Sequence, residues 1–148
     1  MFRVRKLFKF EAAHRLTRSY TKCCQTFHGH SYKVEVIVTT CVLNDDGMVI
    51  DFGELKKIVD PFIKEWDHSL ILHENDSWLD DIPSDCKVII MPWNPTAENM
   101  AKYLAIHIAK KKAIKSILHY DGYSSLTVRI HETDTGWAEY TIKGDCRK

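Results

Sequence analysis

The chain has 148 residues, 45% of them hydrophobic and 28% charged, which fits one globular domain over residues 1–148 and excludes a disordered or fibrous chain. A net charge of +1 argues against a dedicated nucleic-acid-binding protein. No apolar stretch approaches the roughly 20 residues of a membrane span, so we expect no signal peptide and no membrane anchor. An odd, scattered set of cysteines favours reduced thiols in the cytoplasm over a disulfide framework: Cys23, Cys24, Cys41, Cys86 and Cys146.

The predicted elements begin with two strands of period two. From Phe2 to His14 the apolar residues share one parity, and His14 ends the strand on that side. After a polar stretch, a second strand repeats the pattern with Tyr32, Val34, Val36 and Val38. The run 44–47 (Asn-Asp-Asp-Gly) predicts a turn and a hairpin-type reversal before residues 48–51.

Two helices and two further strands follow. Residues 52–66 show helical spacing of apolar residues, with Pro61 expected to break or kink the helix. Thr96 is the predicted N-cap of a second helix, and the basic run 110–112 is expected at its end. Strands are predicted over 124–132 and 136–143. The expected fold class is therefore α+β, with a four-stranded antiparallel sheet, two helices on one face, and open edges that subunits could close together into a barrel.

The candidate metal ligands are His14, His28 and His30. His28 and His30 are two apart on a strand, so their imidazoles project to the same side, and Gly29 between them removes a side chain that could crowd the site. His14 could lie alongside on the antiparallel neighbour. Three imidazoles with an open fourth position are typical of catalytic zinc, whereas an isolated His-x-His pair is more often without metal.

Three further residue types could contribute to the chemistry. Cys24 could be a fourth, structural zinc ligand or a thiol acting as base or nucleophile, and the adjacent Cys23 complicates that choice. Asp67 and His68 could form a proton relay or simply end a helix. Glu132 continues an apolar stripe, so its carboxylate needs donors, from Arg129 or Arg15 or from a ligand with two parallel N–H groups.

Together these residues resemble the 6-pyruvoyltetrahydropterin synthase / 6-carboxytetrahydropterin synthase family. The resemblance covers most of the chain in six segments: Phe-Glu-Ala-Ala-His-Arg (10–15), Cys-Gln-Thr-Phe-His-Gly-His (24–30), Asp-Phe-Gly-Glu-Leu-Lys (51–56), Trp-Asp-His (66–68), Pro-Thr-Ala-Glu-Asn (95–99) and His-Glu-Thr (131–133). It implies a T-fold subunit in an oligomer, commonly a hexamer built from two trimers, with active sites between subunits.

The resemblance also implies the roles of the site residues. His14, His28 and His30 match the family's Zn²⁺ ligands, and Cys24 matches its catalytic cysteine. Asp67 and His68 match the proton-relay pair, supplied by a neighbouring subunit, and Glu132 matches the acid that anchors the pterin. The implied substrate is 7,8-dihydroneopterin triphosphate. Arg15 and Lys22 are candidates for holding the triphosphate.

Two products are open to such an enzyme. One branch of the family makes 6-pyruvoyltetrahydropterin; the other releases acetaldehyde and makes 6-carboxy-5,6,7,8-tetrahydropterin for queuosine and deazapurine synthesis. Three residues separate Cys24 from the His-Gly-His run, which resembles the bacterial carboxy-forming members. A non-catalytic pterin- or purine-binding module with a structural zinc is the alternative from another class. The stretch 73–93 is longer than in compact relatives and is interpreted as a surface excursion rather than a loop near the site.

Overall fold

The computed structural model describes residues 1–19, 21–120 and 122–145; Cys146 lies outside them. Within these ranges one sheet of six strands packs against three α-helices. In chain order the strands are β1 (Phe2–His14), β2 (His28–Thr40), β3 (Ser69–His73), β4 (Val88–Met91), β5 (Ser125–His131) and β6 (Trp137–Lys143). The helices are α1 (Phe52–Trp66), α2 (Ala97–Ala109) and α3 (Lys112–Leu118).

The sheet is mixed, with the strand order β4-β3-β1-β2-β5-β6. β1 and β2 pair antiparallel over their full length, from Phe2 opposite Thr40 to His14 opposite His28. β5 and β6 continue the antiparallel part, whereas β3 runs parallel to β1, and β4 runs parallel to β3. The α+β class is confirmed, but the expectation of four strands, all antiparallel, is wrong.

Of the two unpredicted strands, β3 ends where the stretch interpreted as a surface excursion begins, and β4 lies within that stretch. Leu70, Ile71 and Leu72 form most of β3, and β4 is Val-Ile-Ile-Met. Both runs are continuously apolar and short, so they show no alternation by which a strand could be recognised. Ile71, Leu72 and Met91 are fully buried, which explains why this segment joins the sheet instead of lying on its surface.

The predicted alternation correctly identifies the buried face of the long strands. On β2 the side chains of Tyr32, Val34, Val36 and Val38 are fully buried, and on β5 so are those of Leu126, Val128 and Ile130. The helices cover this face, and burial of each such aliphatic side chain contributes about 1.5–3 kcal/mol to stability. The opposite face is polar and carries an ion cluster of Arg5, Glu35, Arg129 and His131.

The helices begin as predicted but differ in their interiors and number. The Asp51 side chain caps α1 by accepting hydrogen bonds from the backbone N–H groups of residues 53 and 54. The Thr96 side chain caps α2 by accepting a hydrogen bond from the backbone N–H group of Asn99. α1 runs unbroken through Pro61, so the expected break is wrong; Pro61 is exposed, and water can solvate the carbonyl group that it leaves without a donor. The basic run 110–112 lies at the end of α2, as predicted, and it leads into a third helix that was not predicted.

The predicted turn at residues 44–47 is present. The Asn44 side chain accepts N–H groups from Asp46 and Met48, and Gly47 adopts a positive φ of 74°. Val49 and Ile50 beyond it are buried. No helix in the described ranges is long and apolar enough to cross a membrane.

Candidate functional site

The pairing of β1 with β2 brings three histidines together at one end of the sheet. His14 lies opposite His28, and His30 lies opposite Ala12, so all three imidazoles project from the same face. Their ring centroids are 4.5 Å, 5.1 Å and 5.0 Å apart, and one potential ligand atom from each lies within 4.8 Å of the others. The predicted ligand set is therefore assembled within one chain. A Cβ atom at Gly29 would make only an ordinary 3.6 Å contact with the Ala12 carbonyl oxygen, so crowding does not explain that glycine.

Hydrogen bonds orient two of the rings for metal binding. Nδ1 of His14 lies 2.7 Å from the Pro95 carbonyl oxygen, and Nδ1 of His28 lies 2.9 Å from the Thr26 carbonyl oxygen. A carbonyl oxygen only accepts, so each Nδ1 carries the proton, and each Nε2 presents a lone pair. Metal-bound histidines typically donate their other ring N–H group to a carbonyl or carboxylate oxygen in this way.

The arrangement of the ring nitrogens is chemically suited to a cation at the centre of the cluster. The Nε2 atoms of His14 and His28 face each other at 2.9 Å, and Nε2 of His30 is buried with no hydrogen-bond partner among the described residues. Two opposed lone pairs repel each other unless a positive centre lies between them. Metal–nitrogen bonds of about 2.0–2.1 Å require a separation slightly larger than this, so a small shift of the rings would accommodate a metal ion.

The surroundings of His14 and His30 favour the neutral imidazole. Burial, opposed by the Pro95 hydrogen bond and reinforced by the neighbouring histidines, lowers the pKa of His14 from 6.5 to about 4. Burial also lowers the pKa of His30, although the Glu132 carboxylate acts in the opposite direction. Neutral imidazole is the form that binds a metal ion. His14 and His30 would therefore release few protons on binding a metal ion near neutral pH.

Glu132 faces this cluster. Its Oε1 atom lies 3.4 Å from Nε2 of His14 and 4.0 Å from Nε2 of His30, and its side chain is 32% exposed. Neither arginine suggested as its partner reaches it, because Arg129 pairs with Glu139 and Glu35, and Arg15 pairs with Asp76. The carboxylate therefore remains available to a ligand that enters beside the histidines.

Cys24 lies in a short 3-10 turn, Cys23–Gln25, that folds back onto the end of β1. The Cys24 carbonyl oxygen accepts the Leu16 N–H group at 2.8 Å, two residues beyond His14. Cys24 is half-buried and Cys23 is exposed, and both are free thiols. Within the described chain, the compact group of potential metal ligands consists of the three histidines without Cys24. This arrangement favours a metal site with an open position over a closed Cys-His site.

Asp67 and His68 form a hydrogen-bonded pair after α1. Nδ1 of His68 lies 2.9 Å from Asp67 Oδ2, and Asp67 Oδ1 accepts the Glu11 N–H group at 2.8 Å. The Glu11 N–H group, followed by His68, lowers the pKa of Asp67. His68 has a φ of 57°, an uncommon conformation for a residue with a side chain, and its N–H group donates to the Glu11 carbonyl oxygen.

This pair is not joined to the histidine cluster within one chain. Among the described residues, its polar contacts are with Glu11, Ile63, Lys87 and each other. The His68 side chain is 79% exposed. A cavity of about 700 Å³ beside it is lined by residues of β1, β2 and β3 and by residues 85–87. The imidazole is therefore accessible to a second molecule.

Two parts of the site were missed by sequence reasoning. Tyr32 shares the parity of His28 and His30, a signal that could have identified it. Its ring centroid lies 5.4 Å from that of His30, its hydroxyl group is buried without a partner in the described structure, and burial raises its pKa. The second part is formed by Asp76 and Trp78, which contact Arg15 and Phe27; nothing in their spacing indicated this.

Comparisons with known proteins identify relatives of this chain. The family model described as 6-pyruvoyl tetrahydropterin synthase matches residues 3–143. The chain is 33% identical to a 6-carboxy-5,6,7,8-tetrahydropterin synthase of Rickettsia conorii, with 94% of this chain and 99% of that protein covered. It is 31% identical to the synthase of the same name from Helicobacter pylori, with 95% and 72% covered.

Solved structures support the fold. The crystal structure of 6-pyruvoyl tetrahydropterin synthase from Plasmodium vivax matches with a TM-score of 0.74 at 20% identity, covering 97% of this chain and 99% of that one. The Caenorhabditis elegans 6-pyruvoyl tetrahydropterin synthase matches with a TM-score of 0.65 at 26% identity, covering 97% and 96%. The T-fold expected from the sequence is therefore confirmed for the subunit. The chain belongs to the 6-pyruvoyl tetrahydropterin synthase family, whose members are lyase-type enzymes.

Proposed function

We propose that this protein is a zinc-dependent 6-carboxy-5,6,7,8-tetrahydropterin synthase. It would convert 7,8-dihydroneopterin triphosphate and water into 6-carboxy-5,6,7,8-tetrahydropterin, acetaldehyde and triphosphate, a step towards queuosine and related 7-deazapurines. The observation that carries the proposal is the cluster of His14, His28 and His30, with inward-facing Nε2 atoms and a carboxylate beside it.

The choice of product rests on two observations. Three residues separate Cys24 from His28, the spacing that resembles the carboxy-forming branch. The cited relatives at 33% and 31% identity carry the carboxy name, whereas the named pyruvoyl enzymes among the structures are 20% and 26% identical. Formation of 6-pyruvoyltetrahydropterin is the second candidate, because it would use the same metal ligands.

The chain's own residues would divide the chemistry as follows. A zinc ion held by the three histidines would supply Lewis acidity at the side-chain hydroxyl groups of the substrate. The Glu132 carboxylate would accept two parallel N–H groups of the pterin and so orient it. The Cys24 thiolate would move a proton on one face of the side chain, and His68, held by Asp67, would move protons elsewhere. Arg15 is a poor candidate for the triphosphate, because Asp76 already balances its charge.

Oligomerisation is part of the proposal. In the described ranges, the exposed Asp67–His68 pair makes no hydrogen bond or ion pair with the histidine cluster of its own chain, which supports a role in a neighbouring subunit's site. The edge strands β4 and β6 are the sheet borders through which subunits could close a barrel, in a hexamer of two trimers. A cytoplasmic location is also proposed, since Cys23, Cys24 and Cys86 are free thiols.

Product analysis tests the activity and the branch together. Zinc-loaded protein is incubated with 7,8-dihydroneopterin triphosphate, and the pterin products and acetaldehyde are quantified. The proposal predicts equal amounts of carboxylated pterin and acetaldehyde. A pyruvoyl product without acetaldehyde would move the protein to the sister branch. Tight pterin binding without turnover would identify a binding module instead.

A further inference from the structure

The segment between β3 and β4 packs against the loop that carries Cys24. The Trp78 ring contacts the Phe27 ring edge to face, with centroids 5.1 Å apart at 69°. Phe27 lies between Cys24 and His28 in the sequence. The Arg15 guanidinium lies over the same Trp78 ring, 4.0 Å from its centroid. Trp78 therefore connects the cysteine loop to the residue that follows His14.

A buried ion pair fixes this tryptophan. Arg15 Nε lies 3.2 Å from Asp76 Oδ2, and the two residues are 8% and 4% exposed. This contact is an ion pair whose geometry does not form a hydrogen bond. The other carboxylate oxygen of Asp76 accepts a hydrogen bond from the backbone N–H group of Trp78 at 2.9 Å. The backbone N–H group of Asp76 donates to the His73 carbonyl oxygen. Because buried charges are costly without partners, this arrangement holds both residues in place.

The cysteine loop depends on such external contacts. The 3-10 turn Cys23–Gln25 contains no buried residue, so its own packing cannot fix it. One external contact is the Leu16 N–H group, which donates to the Cys24 carbonyl oxygen at 2.8 Å. A second joins Gln25 Nε2, which donates to the Ser19 carbonyl oxygen at 2.7 Å. A third is the ring contact of Phe27 with Trp78, three residues beyond Cys24 along the chain.

We propose that Trp78, held by the Arg15–Asp76 pair, is a positioning residue that fixes the Cys24 loop beside the three histidines. The inference rests on the proposed function only for the catalytic role of Cys24. Trp78 acts through Phe27, so its loss should misplace the thiol without removing a metal ligand. Misplacement of a reacting group lowers kcat, whereas the contacts that bind the pterin remain.

The test compares Trp78→Ala with Trp78→Phe in a Cys23→Ser background. Cys24 is alkylated with iodoacetamide, its modification is followed by peptide mass spectrometry, and zinc content, kcat and KM are measured. In Trp78→Ala we expect unchanged zinc, Cys24 alkylation at least about fivefold faster, kcat about tenfold lower and KM within about twofold. Trp78→Phe keeps an aromatic ring against Phe27. It should retain most of the protection of Cys24 against alkylation and most of the parent kcat.

Two further variants make the result specific. Trp137 also carries an arginine over its ring, Arg129 at 4.0 Å, but lies on β6 and is 52% exposed. Trp137→Ala should therefore leave Cys24 alkylation at the parent rate. Phe27→Leu removes the same ring contact from the loop side. Because Phe27 is 37% exposed, this substitution should disturb folding little, and it replaces Trp78→Ala in the test if that variant does not fold.

The alkylation result separates this inference from the proposed function. Parent-like alkylation of Cys24 in folded, zinc-containing Trp78→Ala or Phe27→Leu would overturn the positioning role, as would an equal increase in Trp137→Ala. A parent protein that turns over no pterin would overturn the proposed function. The effect of Trp78 on Cys24 reactivity would still be measurable in that case.

Discussion

His14 is fully buried, whereas His28 and His30 are partly exposed, and its protonation is therefore linked to folding. In the folded metal-free protein its pKa is about 4, against 6.5 for the ordinary value. At a pH between 4 and 6.5, His14 therefore binds a proton in the unfolded chain but not in the folded chain. The free energy of unfolding should therefore fall as the pH falls from 6.5 towards 4, by about 3 kcal/mol from this residue. His30 acts in the same direction.

Denaturant unfolding of metal-free protein between pH 4 and 7 measures this effect. His14→Gln removes the buried titrating group and should flatten the dependence. His107→Gln is the matched control, because His107 also bonds a backbone carbonyl but lies on α2. We expect it to retain the parent slope. The same slope in the His14→Gln variant as in the parent would contradict the assignment.

Some features of the site could be predicted from the sequence, and others could not. His14, His28 and His30 were identifiable because strand parity alone brings them to one face, as the register confirms. The Pro95 carbonyl group that orients His14 is 81 residues away and has no side-chain signal. The left-handed conformation of His68 was equally invisible, since it results from the backbone contact with Glu11 after the helix end.

At the scale of elements, the long strands and the helix starts were predictable, and the middle of the chain was not. β1, β2 and β5 have one buried and one polar face, so alternation identifies them. β3 and β4 are short and apolar throughout, and their parallel pairing depends on contacts between distant segments. Periodicity carries no information about such pairing.

The same limit explains the misinterpretation of the segment between β3 and β4. Its residues were read as a surface excursion, yet Asp76 is buried and Trp78 contacts both Arg15 and Phe27. The extra length of the stretch suggested a surface insertion, but a buried aspartate with an arginine partner is compatible with packing near the site. This element therefore belongs to the surroundings of the cysteine loop.

At the scale of the whole molecule, the single chain supplies the metal cluster and Glu132 on one side and the exposed Asp67–His68 pair on another. If neighbouring subunits combine them, two inactive variants should complement each other. Cys24→Ala and His68→Ala, each inactive alone, should regain activity when co-expressed, in about a quarter of the sites for random mixing. Turnover in the co-purified mixture measures this. No recovery, in mixed oligomers demonstrated by two affinity tags, would place all groups in one chain.

The central claim is that three histidines hold a catalytic zinc ion and that Cys24 acts beside it without being a ligand. The most direct test measures zinc per chain and turnover of 7,8-dihydroneopterin triphosphate in parent and Cys24→Ala protein. We predict that Cys24→Ala retains the parent zinc content and unfolding free energy while turnover falls by at least about a hundredfold. Loss of zinc together with stability in Cys24→Ala would contradict the account, because it would identify a closed structural site.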